Sequence, residues 1–345
     1  MKGFASDNHA GAHPEVLAAI AQANDAHAAP YGADPWTARA EELLRAHFGA
    51  QAVSFLVFNG SAANVLALRA LCRPWHSVIC AAQAHINVDE GGAAEAIAGV
   101  KLQDVATPDA KLTPALVESQ LARAGDEHAV QPRLVSITQS TELGTCYSPG
   151  ELRALADCAH ERGLLLHLDG ARLANAAAAL QLPLRALTTD AGVDVVSFGG
   201  TKNGLLLGEA VVFCDPALAD GVPYLRKQTL QLASKGRFLA AQFIALLEGD
   251  LWLRNAAHAN AMAARLAAAL AHMPGVRLTQ AVQANEVFAV LAPGATAALQ
   301  RDWAFYEWDP QTGEVRFVCS WDTTAAEVDA FAADVSTACA AALTP

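Results

Sequence analysis

No stretch of this 345-residue chain approaches 18 continuous, strongly apolar residues, so nothing in it reads as a membrane-spanning helix. The opening Met-Lys-Gly-Phe-Ala-Ser-Asp-Asn-His lacks the apolar run of a secretory signal, and a cytoplasmic location is the resulting expectation. The seven cysteines, at 72, 80, 146, 158, 214, 319 and 339, are odd in number and include no CxxC pair. They are expected to be reduced core residues rather than a disulfide frame or a zinc site. Eleven histidines show no HExxH or other short ligand spacing, so no metal is assigned. Lysine and arginine form no block, and 35 acidic against 23 basic residues leave a net charge of −12. That balance argues against nucleic acid as a partner, so any anionic ligand must be held by local donors. Few charges (17%) beside 53% hydrophobic residues exclude a disordered chain.

Much of the apolar content is alanine in helical stretches such as 256–271, and the length suffices for one large core or two unequal domains. Short apolar runs at 53–58, 78–81, 134–138, 164–168, 193–198 and 210–214 read as buried strands. Helical patterns fall among them at 149–162 and 173–180, after earlier ones at 14–26 and 36–48. Alternation of this kind predicts an α/β fold with a mostly parallel sheet. The character changes near 250. A long Ala-rich helix (252–272) leads to strand-like pieces at 276–278, 287–291 and 315–319, then a terminal helix at 324–342. The expected division is an N-terminal arm and helix (1–30), a large domain (31–249) and a smaller α+β domain (250–345).

Two residues carry the strongest chemical signal. Asp169 follows the run 164–168, and Lys202 follows 193–198 within Gly199-Gly200-Thr201-Lys202-Asn203. A crossover helix fits between them, so both side chains can emerge at the carboxyl edge of one parallel sheet, where such sheets bind ligands. A lysine among small residues can carry a Schiff base, and a strand-end aspartate can keep a pyridine nitrogen protonated. Together they supply the two-point fixation that pyridoxal phosphate requires. Alone, Asp-Gly is more often a turn and a lysine more often a surface charge.

Other residues gather round this pair. Arg172 lies one turn beyond Asp169 and can face the same crevice. Asn59-Gly60-Ser61-Ala62-Ala63-Asn64 joins a strand to a helix, and its small residues leave amides and the Ser61 hydroxyl free for a phosphate. Ordinary capping, with Ser61 as the cap, is the alternative. His85 stands just after a strand, placed either to stack on a ring and shuttle a proton or to serve as a core histidine. Arg316 interrupts an apolar strand and needs an anionic partner, either a substrate carboxylate or an interdomain ion pair.

These motifs, with Ser6-Asp7-Asn8, Pro30-Tyr31-Gly32-Ala33-Asp34 and Ser136-Ile137-Thr138-Gln139, fall in the order and spacing of low-specificity L-threonine aldolases. The chain resembles that family, a group of pyridoxal-phosphate-dependent β-eliminating lyases of fold type I (aspartate aminotransferase-like), from about residue 4 to 335. The resemblance implies retro-aldol cleavage of L-threonine, L-allo-threonine and related β-hydroxy-α-amino acids to glycine and an aldehyde. It assigns Lys202 to the cofactor's aldehyde carbon, Asp169 to the pyridine nitrogen, His85 to the ring face and Gly60, Ser61 and Ala62 to the phosphate. Ser6, Arg172 and Arg316 would grip the substrate carboxylate, and Tyr31 would join the substrate site. A homo-oligomer, tetramer or dimer, is implied as well, with active sites near subunit interfaces that Lys227 or Lys235 could reach. One departure stands out. Gln139-Ser140-Thr141-Glu142 replaces a Glu-Asn-Thr-His run of many relatives, so Glu142 stands where a histidine could contact the β-hydroxyl. Alternatives are another fold-type-I reaction (phenylserine cleavage, β-elimination or transamination) and a non-catalytic relative that binds the cofactor.

Overall fold

Side chains on successive strand residues point to opposite faces, and here both faces are apolar. Ile79, Val135, Ile137, Leu166, Val196 and Phe198 join one buried cluster. Their neighbours Val78, Cys80, Leu134 and Val195 join a second on the other side. Strands buried on both faces need helices on both, and a computed structural model, which describes residues 3–343, has that layering. Three early helices, α1 (Pro14–Ala23), α2 (Pro35–Phe48) and α3 (Gly60–Leu71), begin it.

The large sheet contains β1 (Val53–Val57), β2 (His76–Ala81), β3 (Lys101–Val105), β4 (Gln131–Thr138), β5 (Leu165–Gly170), β6 (Val195–Gly199) and β7 (Glu209–Phe213). Their order is β1-β7-β6-β5-β4-β2-β3. β7 runs antiparallel to both neighbours, and the remaining pairs are parallel. A second, antiparallel sheet has the order β10-β11-β9-β8. Its strands are β8 (Val276–Leu278), β9 (Glu286–Leu291), β10 (Tyr306–Asp309) and β11 (Glu314–Val318). The helices Leu251–Leu270 and Ala325–Leu343 share one apolar cluster with it. The N-terminal arm joins that cluster through Phe4, whose ring centroid lies 4.7 Å from that of Phe331. Among the described residues no helix is long and apolar enough to cross a membrane.

The structure differs from the sequence reading in places. β3 and the helix Pro114–Ser119 lie in a stretch that carried no expectation. β3 is an edge strand with exposed Lys101 and Asp104, so its apolar signal is thin. The helices Val222–Gln228 and Arg237–Leu247 were likewise unread, as was β10. β5 runs two residues beyond the expected end, which puts Asp169 inside the strand.

His167, within β5, is fully buried. Its Nδ1 lies 2.9 Å from Ser136 Oγ and its Nε2 3.0 Å from Ser197 Oγ, so it ties β4, β5 and β6 together. Burial lowers its pKa to about 4, against a smaller opposing pull from Asp169. The unfolded chain therefore binds this proton near pH 6.5 and the folded one only near 4. The associated stability is complete above about pH 6.5 and is lost as pH falls towards 4, by up to about 3 kcal/mol. Denaturant unfolding of wild type and His167→Gln at pH 7.5 and 4.5 checks this. The wild type should lose more stability on acidification than the variant, and equal losses would contradict it.

Candidate active site

A cavity of about 420 Å³ opens at the carboxyl ends of β4, β5 and β6. Register pairs Asp169 with Ser197 and Gly170 with Phe198, so the chain leaving β6 passes directly over the end of β5. Gly199 and Gly200 permit that passage, because a Cβ on Gly199 would stand 2.4 Å from the Ala171 carbonyl oxygen. Lys202 follows in the short turn Thr201–Asn203 and lines the cavity. Among the described residues its amine makes no hydrogen bond or ion pair. Asp169 also lines the cavity. Its Oδ1 accepts from the Ala171 amide at 3.0 Å and its Oδ2 from Asn64 Nδ2 at 2.8 Å.

Across from this pair lies the start of α3. Asn59, not Ser61, caps it, accepting from the Ala62 amide at 2.9 Å. Gly60 and Ser61 become its first two residues, whose amides have no carbonyl four residues earlier within the helix. Both line the cavity, and the helix dipole adds partial positive charge there. Ala62 does not line it. Its amide donates to the Asn59 cap, so of the three residues expected at the phosphate only Gly60 and Ser61 line the cavity.

His85 Nδ1 lies 2.8 Å from Glu90 Oε1, and the ring lines the cavity. Its pKa is raised, chiefly by the bond to Glu90, against burial and with help from Asp169. Glu142 Oε1 accepts from the Thr138 hydroxyl at 2.6 Å and from the His85 amide at 2.9 Å. Its Oε2 is buried without a partner. Burial pushes this carboxyl up to about 7, although both bonds oppose the rise. Glu209, on β7, is also raised to about 7 by burial, while its Oε2 accepts from the Gly200 amide at 2.6 Å.

Arg172 lines the cavity from the N-cap of the helix Leu173–Leu180, but much of its guanidinium is committed. Nε and Nη2 donate to Asp7 at 2.7 and 3.0 Å, and Nη1 lies 3.5 Å from Glu286 Oε1. Burial raises and Arg172 lowers the Asp7 pKa, for a net lowering to which Lys202 adds. Arg316 does not line the cavity. It stands behind Arg172, its Nη1 3.6 Å from the same Glu286 oxygen and its guanidinium 4.5 Å from the Trp308 ring centre. That ion pair joins β9 to β11 within one sheet, not across the domains.

Two residues expected at the substrate lie away from the main cavity in this chain. Ser6 faces a separate cavity of about 70 Å³ and caps the turn Asp7–His9 by accepting from the Asn8 amide at 3.1 Å. It is the adjacent Asp7 that turns inward. Tyr31 lies outside the main cavity, half exposed, with the Lys227 amine 5.2 Å from its ring centre. Lys227 and Lys235 are exposed and do not line the cavity either. Sequence reasoning missed Asn64, Glu90, Glu209 and Glu286. For Asn64 a signal existed, since it lies four residues after Gly60 and so on the same helix face.

The donor set fits pyridoxal phosphate: a lysine amine without a hydrogen bond among the described residues, a buried carboxylate held in place, and a helix start with open amides, all round one cavity. Comparison with known proteins points the same way. The beta-eliminating lyase family model matches residues 3–293. Low specificity L-threonine aldolases of a Pseudomonas species and of Pseudomonas aeruginosa are 47% and 48% identical over 334 residues, each covering 96% of both chains. The structure of Leishmania major threonine aldolase superposes with a TM-score of 0.93 at 34% identity, over 98% of this chain and 99% of that one. Mouse CSAD, 17% identical with a TM-score of 0.74, shares the fold. From its N-terminal arm to its second sheet, the chain belongs to the beta-eliminating lyase family, beside the low specificity L-threonine aldolases.

Proposed function

We propose that the protein is a pyridoxal-phosphate-dependent carbon–carbon lyase that cleaves L-threonine, L-allo-threonine and related β-hydroxy-α-amino acids to glycine and an aldehyde. The observation that carries this reading is the convergence of Lys202, Asp169 and the open start of α3 on one cavity, in a chain that matches named threonine aldolases over 96% of its length. The cofactor supplies a sink for the electron pair left on Cα when the Cα–Cβ bond breaks.

The protein's own groups do the rest. Lys202 would hold the cofactor at its aldehyde carbon, and Asp169 would keep its pyridine nitrogen protonated by charge. The Gly60 and Ser61 amides and the Ser61 hydroxyl would hold the phosphate, and His85 would contact the ring. Arg172 is the arginine at the cavity wall, so it meets the substrate carboxylate first, with Arg316 behind it and Glu286 between them. Glu142 Oε2 takes the β-hydroxyl proton, directly or through a water, and His85 shares the relay. A carboxyl with a pKa near 7 is suited to that exchange at neutral pH. A homo-oligomer and a cytoplasmic location belong to the same reading. Exposed Leu206, Leu207, Tyr224 and Leu230 support the first, since Leu207 also lines the cavity. Seven free thiols support the second.

Incubating purified protein and pyridoxal phosphate with the four stereoisomers of threonine tests the activity. Glycine and acetaldehyde in equal amounts are expected from the two L isomers. 2-Oxobutanoate with ammonia, from loss of the β-hydroxyl as water, or the β-hydroxy keto acid of transamination, would move the protein to another reaction class. A pH series tests Glu142. Because the base must be unprotonated, wild-type kcat/KM should rise as pH passes through about 7. Glu142→Gln should flatten that rise and slow cleavage about ten- to a hundredfold. An unchanged profile and rate would remove Glu142 from the proton path.

A further inference from the structure

His85, Glu90, Asn64 and Asp169 form one unbroken chain of hydrogen bonds. His85 Nδ1 meets Glu90 Oε1 at 2.8 Å, and the same oxygen accepts from Asn64 Nδ2 at 2.8 Å. That amide nitrogen also donates to Asp169 Oδ2 at 2.8 Å. Two carboxylate acceptors fix which end of the Asn64 amide faces them, and its two N–H groups are both used. Its oxygen is left buried without a partner, as is Glu90 Oε2. The Glu90 side chain is 1% exposed. A carboxylate so enclosed is costly unless charged or strongly donating groups face it, and His85 with Asn64 are those groups.

The chemistry of the chain places protons. An ionised Glu90 has none to give, so the proton between it and His85 lies on Nδ1. A neutral His85 then carries its lone pair on Nε2, and a second proton can arrive only there. The charges that face His85 come from four directions: Glu90 on its own loop, Asp169 from β5, Glu142 after β4 and Lys202 after β6. Of these, Glu90 makes the direct bond to the ring. Asn64 meanwhile couples Glu90 to the aspartate beneath the proposed pyridine nitrogen without passing a proton, since an amide N–H does not ionise in this range.

We propose that Glu90, held by Asn64, is a positioning residue that fixes the tautomer of His85, keeping Nδ1 protonated and reserving Nε2 for proton exchange. The proposal deepens the reading of this cavity as a lyase site and rests on it only for what Nε2 serves. The raised pKa of His85, due first to Glu90, agrees with it. The amide orientation that faces both carboxylates also accounts for the unpartnered Asn64 Oδ1.

Ring-labelled histidine in the holoenzyme provides the test, with the His85 signal identified by its loss in His85→Phe. In wild type, a downfield Nδ1 proton and a His85 pKa above the ordinary value are expected. Glu90→Gln should lower that pKa by about one pH unit or more and shift or abolish the downfield proton. Glu90→Asp keeps the charge but not the reach, so a smaller drop is expected. Should Glu90→Gln not fold, Glu90→Asp alone carries the test. A His85 pKa unmoved in the folded variants overturns the proposal, even if activity falls, because the loss would then be structural. The same titration on cofactor-free protein is independent of turnover, so failure of the lyase reading and failure of this one are told apart.

Discussion

The site depends on one close passage of backbone over backbone. Where β6 ends, Gly199 lies against Ala171 so tightly that a Cβ would come within 2.4 Å of a carbonyl oxygen. Gly200 is as constrained, with a Cβ position 2.7 Å from the Gly208 carbonyl oxygen. No side chain fits at either position, and a shift of the turn to make room would move Lys202 away from Asp169. Parallel pairing of β4, β5 and β6 brings three strand ends together, and these two glycines let the chain turn close enough for their residues to share a cavity. His167 and its two serine partners hold the same three strands one layer below.

On that frame stands a balance of buried charge. Arg172 and Arg316 face Asp7 and Glu286, so the guanidiniums are paired but not saturated. Both Glu286 oxygens lack a hydrogen bond, with the arginines standing 3.5 and 3.6 Å away. Such spacing leaves the arginines oriented and still able to accept another anion. Glu142, after β4, and Glu209, on β7, are raised to about 7 by burial, and so can exchange protons near neutrality. In a chain with net charge −12, Arg172, with Arg316 behind it, and a helix start give this cavity its groups for anions.

Legibility in the sequence followed the physics of each element. Strands buried on both faces announce themselves as mostly apolar runs, which is why β4, β5, β6 and β7 could be read. The edge strand β3 alternates exposed Lys101 and Asp104 with buried Leu102, and carries too little signal over five residues. Lys202, Asp169, Gly60 and Ser61 were readable because a glycine-flanked turn after a strand has few purposes. Glu90 and Glu286 were not, since a lone glutamate looks the same exposed or enclosed until its neighbours are known. The placement of Ser6 was hidden for a related reason. Motif position marks the turn Asp7–His9, and only the fold shows that Asp7, the next residue, points to Arg172. Tyr31 lies at the surface because a single chain does not bring its loop to the cavity.

The central claim is that Lys202 is the lysine of a pyridoxal phosphate site. Borohydride reduction of the protein with its cofactor, followed by digestion and mass mapping, tests it most directly. The pyridoxyl group should be found on the peptide containing Lys202, and substitution of Lys202 by alanine should abolish the label. Stoichiometric label on another lysine, such as Lys111, Lys227 or Lys235, would contradict the assignment.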